Sequence, residues 1–350
     1  MTYAVTHFTP LTYLRRARLL PVAGRVQVRQ GQRVVATDVI ASADLNNEHV
    51  FIDVRRALHL ARTEQAEALI EYKVGEKLQA GDIIAQTGGL FKRIVRAPVD
   101  GMVVAISKGQ VTLEVPKTPF DLLAGLEGTV MEVIPERGAI LETHGALVQG
   151  IWGNGKISQG VLLPLAESPE DALTVDRLDV SMRGGVVLAG TCSSAEAIKT
   201  AGDLPLRGLI LGSMTADLIP LAMDAPCPII LTDGFGLMGM NTQAFRILAT
   251  NEKRDVCLNA CVYDPFAGER PEVVIPLPAQ GKAAAEVSEL KPGLPVRLLG
   301  APYHGKIGTF LELLPGLTEL SNHLRVPAAR VRLENEMLVT VPVMNLDVLE

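Results

Sequence analysis

Aromatic side chains are scarce in this chain: of 350 residues only 4% are aromatic, with a single Trp, five Tyr and eight Phe. Rings are what proteins use to stack bases and sugars, so a stacking platform for single-stranded nucleic acid is not expected. Cores must instead be built from the Val, Leu, Ile and Ala that dominate the 48% hydrophobic content. Positive charge is also lacking. The formal net charge is −6, which gives no electrostatic footprint for DNA or an anionic membrane surface.

Long apolar runs are missing too. None reaches the roughly 18 to 20 residues that span a bilayer, so no membrane insertion is expected. In the first twenty residues the basic Arg15, Arg16 and Arg18 follow the apolar stretch rather than precede it, the wrong order for a secretory signal. The four cysteines, Cys192, Cys227, Cys257 and Cys261, form no CxxC pair. Reduced thiols in a cytoplasmic protein follow from that usage. The six His are dispersed without HxH or HxxxH spacing, and no Walker Lys-Ser/Thr pair or GxGxxG run occurs. No metal site and no nucleotide loop follow from these patterns.

What is present begins with β-type turns. In Lys73–Val104, Val74-Gly75, Leu78 and Gly81-Asp82-Ile83-Ile84-Ala85 alternate short apolar pairs with Gly turns, and Ala97-Pro98-Val99-Asp100-Gly101 supplies another tight turn. Two brief strands can fold back on each other at this spacing. The segment resembles the β-hammerhead of biotinyl/lipoyl-like barrel-sandwich hybrids, especially the unmodified form in Rnf-type electron-transport subunits. The resemblance covers about a tenth of the chain. It implies a β barrel-sandwich fold and, in a carrier, a modifiable lysine at a hairpin tip flanked by Met, or by Asp and Ala. Lys92, after Gly88-Gly89-Leu90-Phe91, has neither set of flanks, and Lys108 in Ser107-Lys108-Gly109 fits less well. No prosthetic group, and no cofactor of any other kind, is expected.

Units like the one at Val74 recur at Gly24–Val34 and Gly128–Gly138, which suggests one or two small barrels over residues 20–165. Between them, Leu58, Leu60, Ala61, Ala66, Leu69 and Ile70 predict a helix over 53–70. Beyond Pro164 the period changes. Strands over 185–190, 206–211 and 228–232 alternate with helices over 194–201, 215–223 capped by Thr215, and 241–249. Closing strands are expected at 256–261 and 273–277. That alternation argues a small α/β domain with a parallel sheet over 166–278. A Pro-, Gly- and Ala-bearing stretch over 279–293 reads as a linker.

The last segment, 294–350, opens with Leu294–Phe310, whose strand, Gly turn and second strand resemble the KOW motif of elongation factors and ribosomal proteins, with an SH3-like barrel implied. The expected fold class is therefore multidomain α+β: an N-terminal extension over 1–19, a β-rich barrel-sandwich hybrid, a small α/β domain and a C-terminal SH3-like barrel.

Three places could carry chemistry. Thr191-Cys192-Ser193 lies at a strand-to-helix turn, where free N–H groups could hold an anion or lower the thiol pKa. The same residues read more simply as an ordinary Ser cap beside a packed thiol. Asp233-Gly234 follows the third strand, where open α/β sheets place ligand crevices. Asp233 could bind a metal, a ribose or a base, or form an Asx-turn. Cys257 and Cys261 would share one face of a strand as core thiols, and Gly150–Gly155 reads as a turn around the only Trp. In the tail, Tyr303, His304 and Lys306 form a contact loop. From Lys291 onward six basic side chains meet six acidic ones, a balance that points to a protein partner rather than RNA. The sum of these readings is a non-catalytic scaffold or assembly subunit that binds partner proteins or itself. A small-ligand sensor or enzyme at the α/β crevice, and an RNA- or ribosome-associated factor, are the alternatives.

Overall fold

The computed structural model describes every residue except 1, 46–47, 89–91, 116–118, 265–268, 284–286 and 350. Strand accounts for 47% and helix for 13%, which makes the chain α+β and mostly β. Among the described residues no sheet closes into a barrel. The chain forms two compact units, one of Met1–Leu19, Val26–Ile40 and Leu122–Glu350, the other of Leu20–Arg25 and Ala41–Asp121.

The smaller unit is held by turns. Strands Glu48–Asp53, Gln110–Val115, Gly101–Ser107 and Lys77–Leu78 make a four-stranded sheet in that order, and Ile83–Gln86 pairs with Ile94–Arg96 as a hairpin. Asp82 Oδ2 accepts the Gln79 amide at 2.7 Å and Asp100 Oδ1 the Ala80 amide at 2.7 Å. These bonds set the turns read from the Gly-Asp and Pro-Val-Asp-Gly sequences. Lys108 and Gly109, with φ of 52° and 72°, link two antiparallel strands as a type I′ turn requires. Val54, Leu58, Ile84, Val103, Val111 and Leu113 are core residues here.

One helix was expected over 53–70, and two short ones occur, Val54–Ala57 and Thr63–Glu67. The break is at His59, which takes a φ of 55°, while the His59 and Leu60 amides turn back to the Arg56 and Arg55 carbonyls. Such left-handed C-terminal caps end helices. Lys92 is exposed beside the hairpin tip. Its preceding residues Gly89, Leu90 and Phe91 lie outside the described residues.

The larger unit is assembled from β1 (Thr2–Thr6), β2 (Phe8–Leu19), β3 (Gly138–Gln149), β4 (Ile157–Pro164), β5 (Gly185–Cys192), β6 (Gly208–Met214), β7 (Ile229–Phe235), β8 (Asp255–Asn259) and β9 (Glu272–Pro276). After them come β10 (Pro295–Leu298), β11 (Ile307–Leu313), β12 (Ala328–Leu333), β13 (Leu338–Pro342) and β14 (Leu346–Leu349). Its main helices are α1 (Ala195–Asp203), α2 (Ile219–Asp224) and α3 (Thr242–Ala249).

Strands β4 to β7 run parallel, in the order β7-β6-β5-β4. Their centres are apolar without alternation, as strands covered on both faces must be. Leu188, Ile210 and Ile230 join Ala244 and Leu248 of α3 in one core, while Val187, Leu209 and Leu211 pack with Ala197 and Ile198 of α1 in another. Helix α1 starts where Ser194 Oγ accepts the Ala197 amide at 3.2 Å, the N-cap read from sequence. At Thr215 no side-chain cap forms: a 3-10 turn, Ala216–Leu218, precedes α2, and the Thr215 amide goes to the Cys192 carbonyl.

The sheet continues antiparallel through β8, β9 and β3 to reach twelve strands, with β2 paired to β3. Residues 128–164 thus lie in the same sheet as 185–276. A second, seven-stranded sheet has the order Val287–Glu289, β1, β14, β10, β11, β12, β13. Its core contains Val5, Val296, Phe310, Val331 and Val348. Residues 1–19 supply β1, parallel to β14 with Val5 opposite Val348, and β2. Within 279–293, Lys282–Ala283 pairs with β2 and Val287–Glu289 with β1.

Candidate functional site

The C-terminal ends of the parallel strands are where a ligand crevice was expected. Thr191 and Cys192 end β5, opposite Ser213 and Met214 of β6. Cys192 is fully buried, its Sγ donates to the Ser194 carbonyl at 3.7 Å, and burial pushes its thiol up from the ordinary value. That direction is opposite to the activation a helix N-terminus would produce. Ser193 is exposed. Asp233 and Gly234 lie two strands away on β7.

Asp233 is buried and fully engaged. Its Oδ2 accepts the Thr232 hydroxyl at 2.7 Å and the Asn241 amide at 2.8 Å, and its Oδ1 accepts Arg297 Nη1 at 3.0 Å. It therefore closes a loop to Asn241, eight positions on, rather than an Asx-turn. Arg297, on β10, has no exposed surface. Its Nη1 also donates to the Thr232 carbonyl at 2.6 Å, and Nη2 donates to Asp347 Oδ2 at 2.7 Å. Asp347 Oδ1 accepts the Thr6 hydroxyl at 2.7 Å and Arg270 Nη2 at 3.3 Å. Burial alone would lower the Arg297 pKa, but Asp347 and Asp233 outweigh it and hold the guanidinium above its ordinary value. Two cations and two carboxylates thus neutralise one another inside the fold, as charges removed from water must.

Backbone packs tightly on two glycines near the ends of β5 and β6. A side chain at Gly190 would collide with the Pro169 carbonyl, and one at Gly212 would stand 2.6 Å from Met240 Cα. Gly234 takes a φ of 108°, and a β-carbon there would press on Ile151 and lie 3.9 Å from His304 Cε1. Gly305 abuts the Met238 side chain. The fold therefore brings Asp233 and Gly234 beside the Tyr303–Lys306 loop, although sequence separated them as two sites. Tyr303 and His304 are half-buried and Lys306 is exposed.

No family model matches the chain, and no curated protein is similar to it in sequence.

Cys227 and Cys257 are buried and Cys261, expected in the core, is half-buried; burial pushes Cys227 to about 11 and Cys257 and Cys261 to about 12. Cys257 lies within β8, whereas Cys261 lies two residues beyond its end. Among the described residues no three His, Cys, Asp or Glu side chains converge as metal ligands. Trp152 stands on a short strand beside β7 with its ring edge-on to Phe235, centroids 5.8 Å apart.

Sequence reading missed Arg270, Arg297, Asp347 and Thr6. The signal was available in two of them, since Arg297 in Pro-Val-Arg-Leu-Leu and Asp347 in Asn-Leu-Asp-Val-Leu are single charges inside apolar strands. Charges so placed are usually paired.

Proposed function

We propose that this chain is a non-catalytic scaffold or assembly subunit that binds partner proteins, or further copies of itself, through its β surfaces. The observation that carries this reading is the close packing near the strand ends together with the neutralised Asp233. Near the strand ends, where open parallel sheets take their ligands, Pro169 packs on Gly190, Met240 packs on Gly212, and Arg297 neutralises Asp233. Burial raises the Cys192 thiol from its ordinary value, which lowers the thiolate fraction available for attack.

In this reading the smaller unit is of the unmodified barrel-sandwich-hybrid type and β10–β14 are an SH3-like domain whose sheet stays open. The order β14-β10-β11-β12-β13, with a 3-10 turn at Val343–Asn345 before the last strand, supports the second assignment. The thiols stay reduced and the site of action is the cytoplasm. No helix among the described residues is long and apolar enough to cross a membrane. Contact runs through Tyr303, His304 and Lys306 and along β13, the outermost strand of its sheet, which exposes Leu338 and Thr340. An outermost strand offers unpaired backbone groups to a partner strand.

The test is capture of the tagged, cross-linked full chain from its native cells, with light scattering on the purified protein. A defined protein partner, or a mass that is a multiple of 37.5 kDa, is expected. A monomer that captures only ribosomes or RNA, or that captures nothing while a metabolite raises its melting temperature, would sink the proposal.

A further inference from the structure

Residues Phe235–Met240 are anchored at both ends and loosely held between. Phe235 packs on Trp152, and the Gly236 amide donates to the Met214 carbonyl at 2.9 Å. At the other end Met240 is buried in the core with Ile210 and Ile230, and its amide donates to the Pro169 carbonyl at 2.8 Å. Between these anchors Leu237 is 63% exposed, and the amides of Leu237, Met238 and Gly239 have no acceptor among the described residues. Gly234 and Gly236 take φ of 108° and 131°, backbone that only glycine adopts freely.

Three contacts hold the middle down, one of them Gly239 against the Glu170 side chain and the Pro169 carbonyl. Ser213 Oγ donates to the Met238 carbonyl at 2.6 Å, and the Met238 thioether lies against Gly305, where a β-carbon would overlap Sδ. Gly305 belongs to a stiff double turn. Tyr303 N donates to the Gly300 carbonyl, Lys306 N to that of Tyr303 and Gly305 N to that of Leu298, at 3.1, 3.0 and 2.7 Å.

We propose that Phe235–Met240 is a strap over the ends of β5 and β6, latched by the Gly300–Lys306 loop through Met238 and Gly305. Whatever engages that loop changes how often the strap lifts. The latch deepens the partner-contact role proposed for the loop, and it can be tested with no partner at all. Local opening of this kind is drawn from segments with few apolar contacts and unpaired amides.

The experiment is hydrogen exchange on the full chain, comparing wild type with Met238→Ala, which empties the latch, and Gly305→Ala, which pushes Met238 aside. The reporters are the protected amides of Gly236, Met240 and Asn241. Exchange at these positions should rise at least tenfold in one or both variants, with Leu209–Leu211 unchanged. Acrylamide should then also quench Trp152, the sole Trp, more strongly. Wild-type rates at the three amides in both variants would overturn the latch. So would acceleration that appears equally in Leu209–Leu211, because that is global loosening. A partner screen that fails leaves these rates untouched, so the two proposals can fail separately.

Discussion

Replacing Arg297 by Met removes one guanidinium and leaves a side chain of similar length at a site with no solvent exposure. The two carboxylates lose unequally. Asp347 keeps Arg270 and the Thr6 hydroxyl, whereas Asp233 keeps only neutral donors, the Thr232 hydroxyl and the Asn241 amide. Breaking a buried pair by removing one partner costs about 3–5 kcal/mol, because the remaining charge stays out of water. Most of that cost falls on Asp233. Adding Asp233→Asn to Arg297→Met removes the stranded charge while an amide oxygen still accepts the Asn241 N–H, so the double variant should recover about 1–3 kcal/mol. Arg297→Lys should fall between, since one ammonium cannot span Asp233, Asp347 and the Thr232 carbonyl as the planar fork does. Urea unfolding followed by Trp152 emission and by far-ultraviolet circular dichroism measures all three. An Arg297→Met protein within about 1 kcal/mol of wild type, or a double variant less stable than the single one, would refute the reasoning.

Three further outcomes follow from the same structure. Iodoacetamide at pH 6.5 should label all four thiols slowly in the folded chain, because burial raises every one of them and only the thiolate attacks. Fast, selective labelling of Cys192 would reverse the reading of its turn. Ser194→Ala should destabilise α1 by about 1 kcal/mol through loss of the bond to the Ala197 amide, seen as a lower urea midpoint at an unchanged slope. Filter binding to structured and single-stranded RNA at physiological salt should give nothing tighter than roughly 10⁻⁴ to 10⁻⁶ M, and nanomolar, salt-sensitive binding lost on deleting 291–350 would contradict the proposed function.

Several elements between 185 and 249 were legible close to their bounds, although the helix expected over 215–223 begins only at Ile219 and the strand expected over 228–232 runs on to Phe235. Strand 185–190 extends to Cys192, helix 194–201 is Ala195–Asp203 and helix 241–249 is Thr242–Ala249, because buried runs, Ser and Asn caps and short loops are local signals. Pairing across long separations was not legible. A two-residue period says which face a side chain takes, not which strand lies alongside. Hence β1 gave no sign that it would join β14 more than three hundred residues later, nor the 279–293 stretch that it would supply short strands. Asp233 shows the same limit at the candidate site. It was read as following a strand, but β7 runs on to Phe235 and contains it; its neighbours Thr232 and Gly234 were known, but Arg297 is 64 residues away and Thr6 and Asp347 are 341 apart.

The buried network also decides how the C-terminal strands should be viewed. A self-standing module would keep its charged groups at its own surface, yet Arg297 and Asp347 are spent on Asp233 of β7, Arg270 and Thr6. Val5 of β1 sits in the same core as Val296 and Val348, and Phe8 lies under the Arg297 guanidinium at 5.9 Å. Cutting before residue 294 would remove β1 from that sheet and expose two carboxylate-cation pairs to a mismatched surround. Sequence places a boundary there because composition changes at a Pro- and Gly-bearing stretch. Energetics places none, since the charges that would have to be separated are each other's solvent.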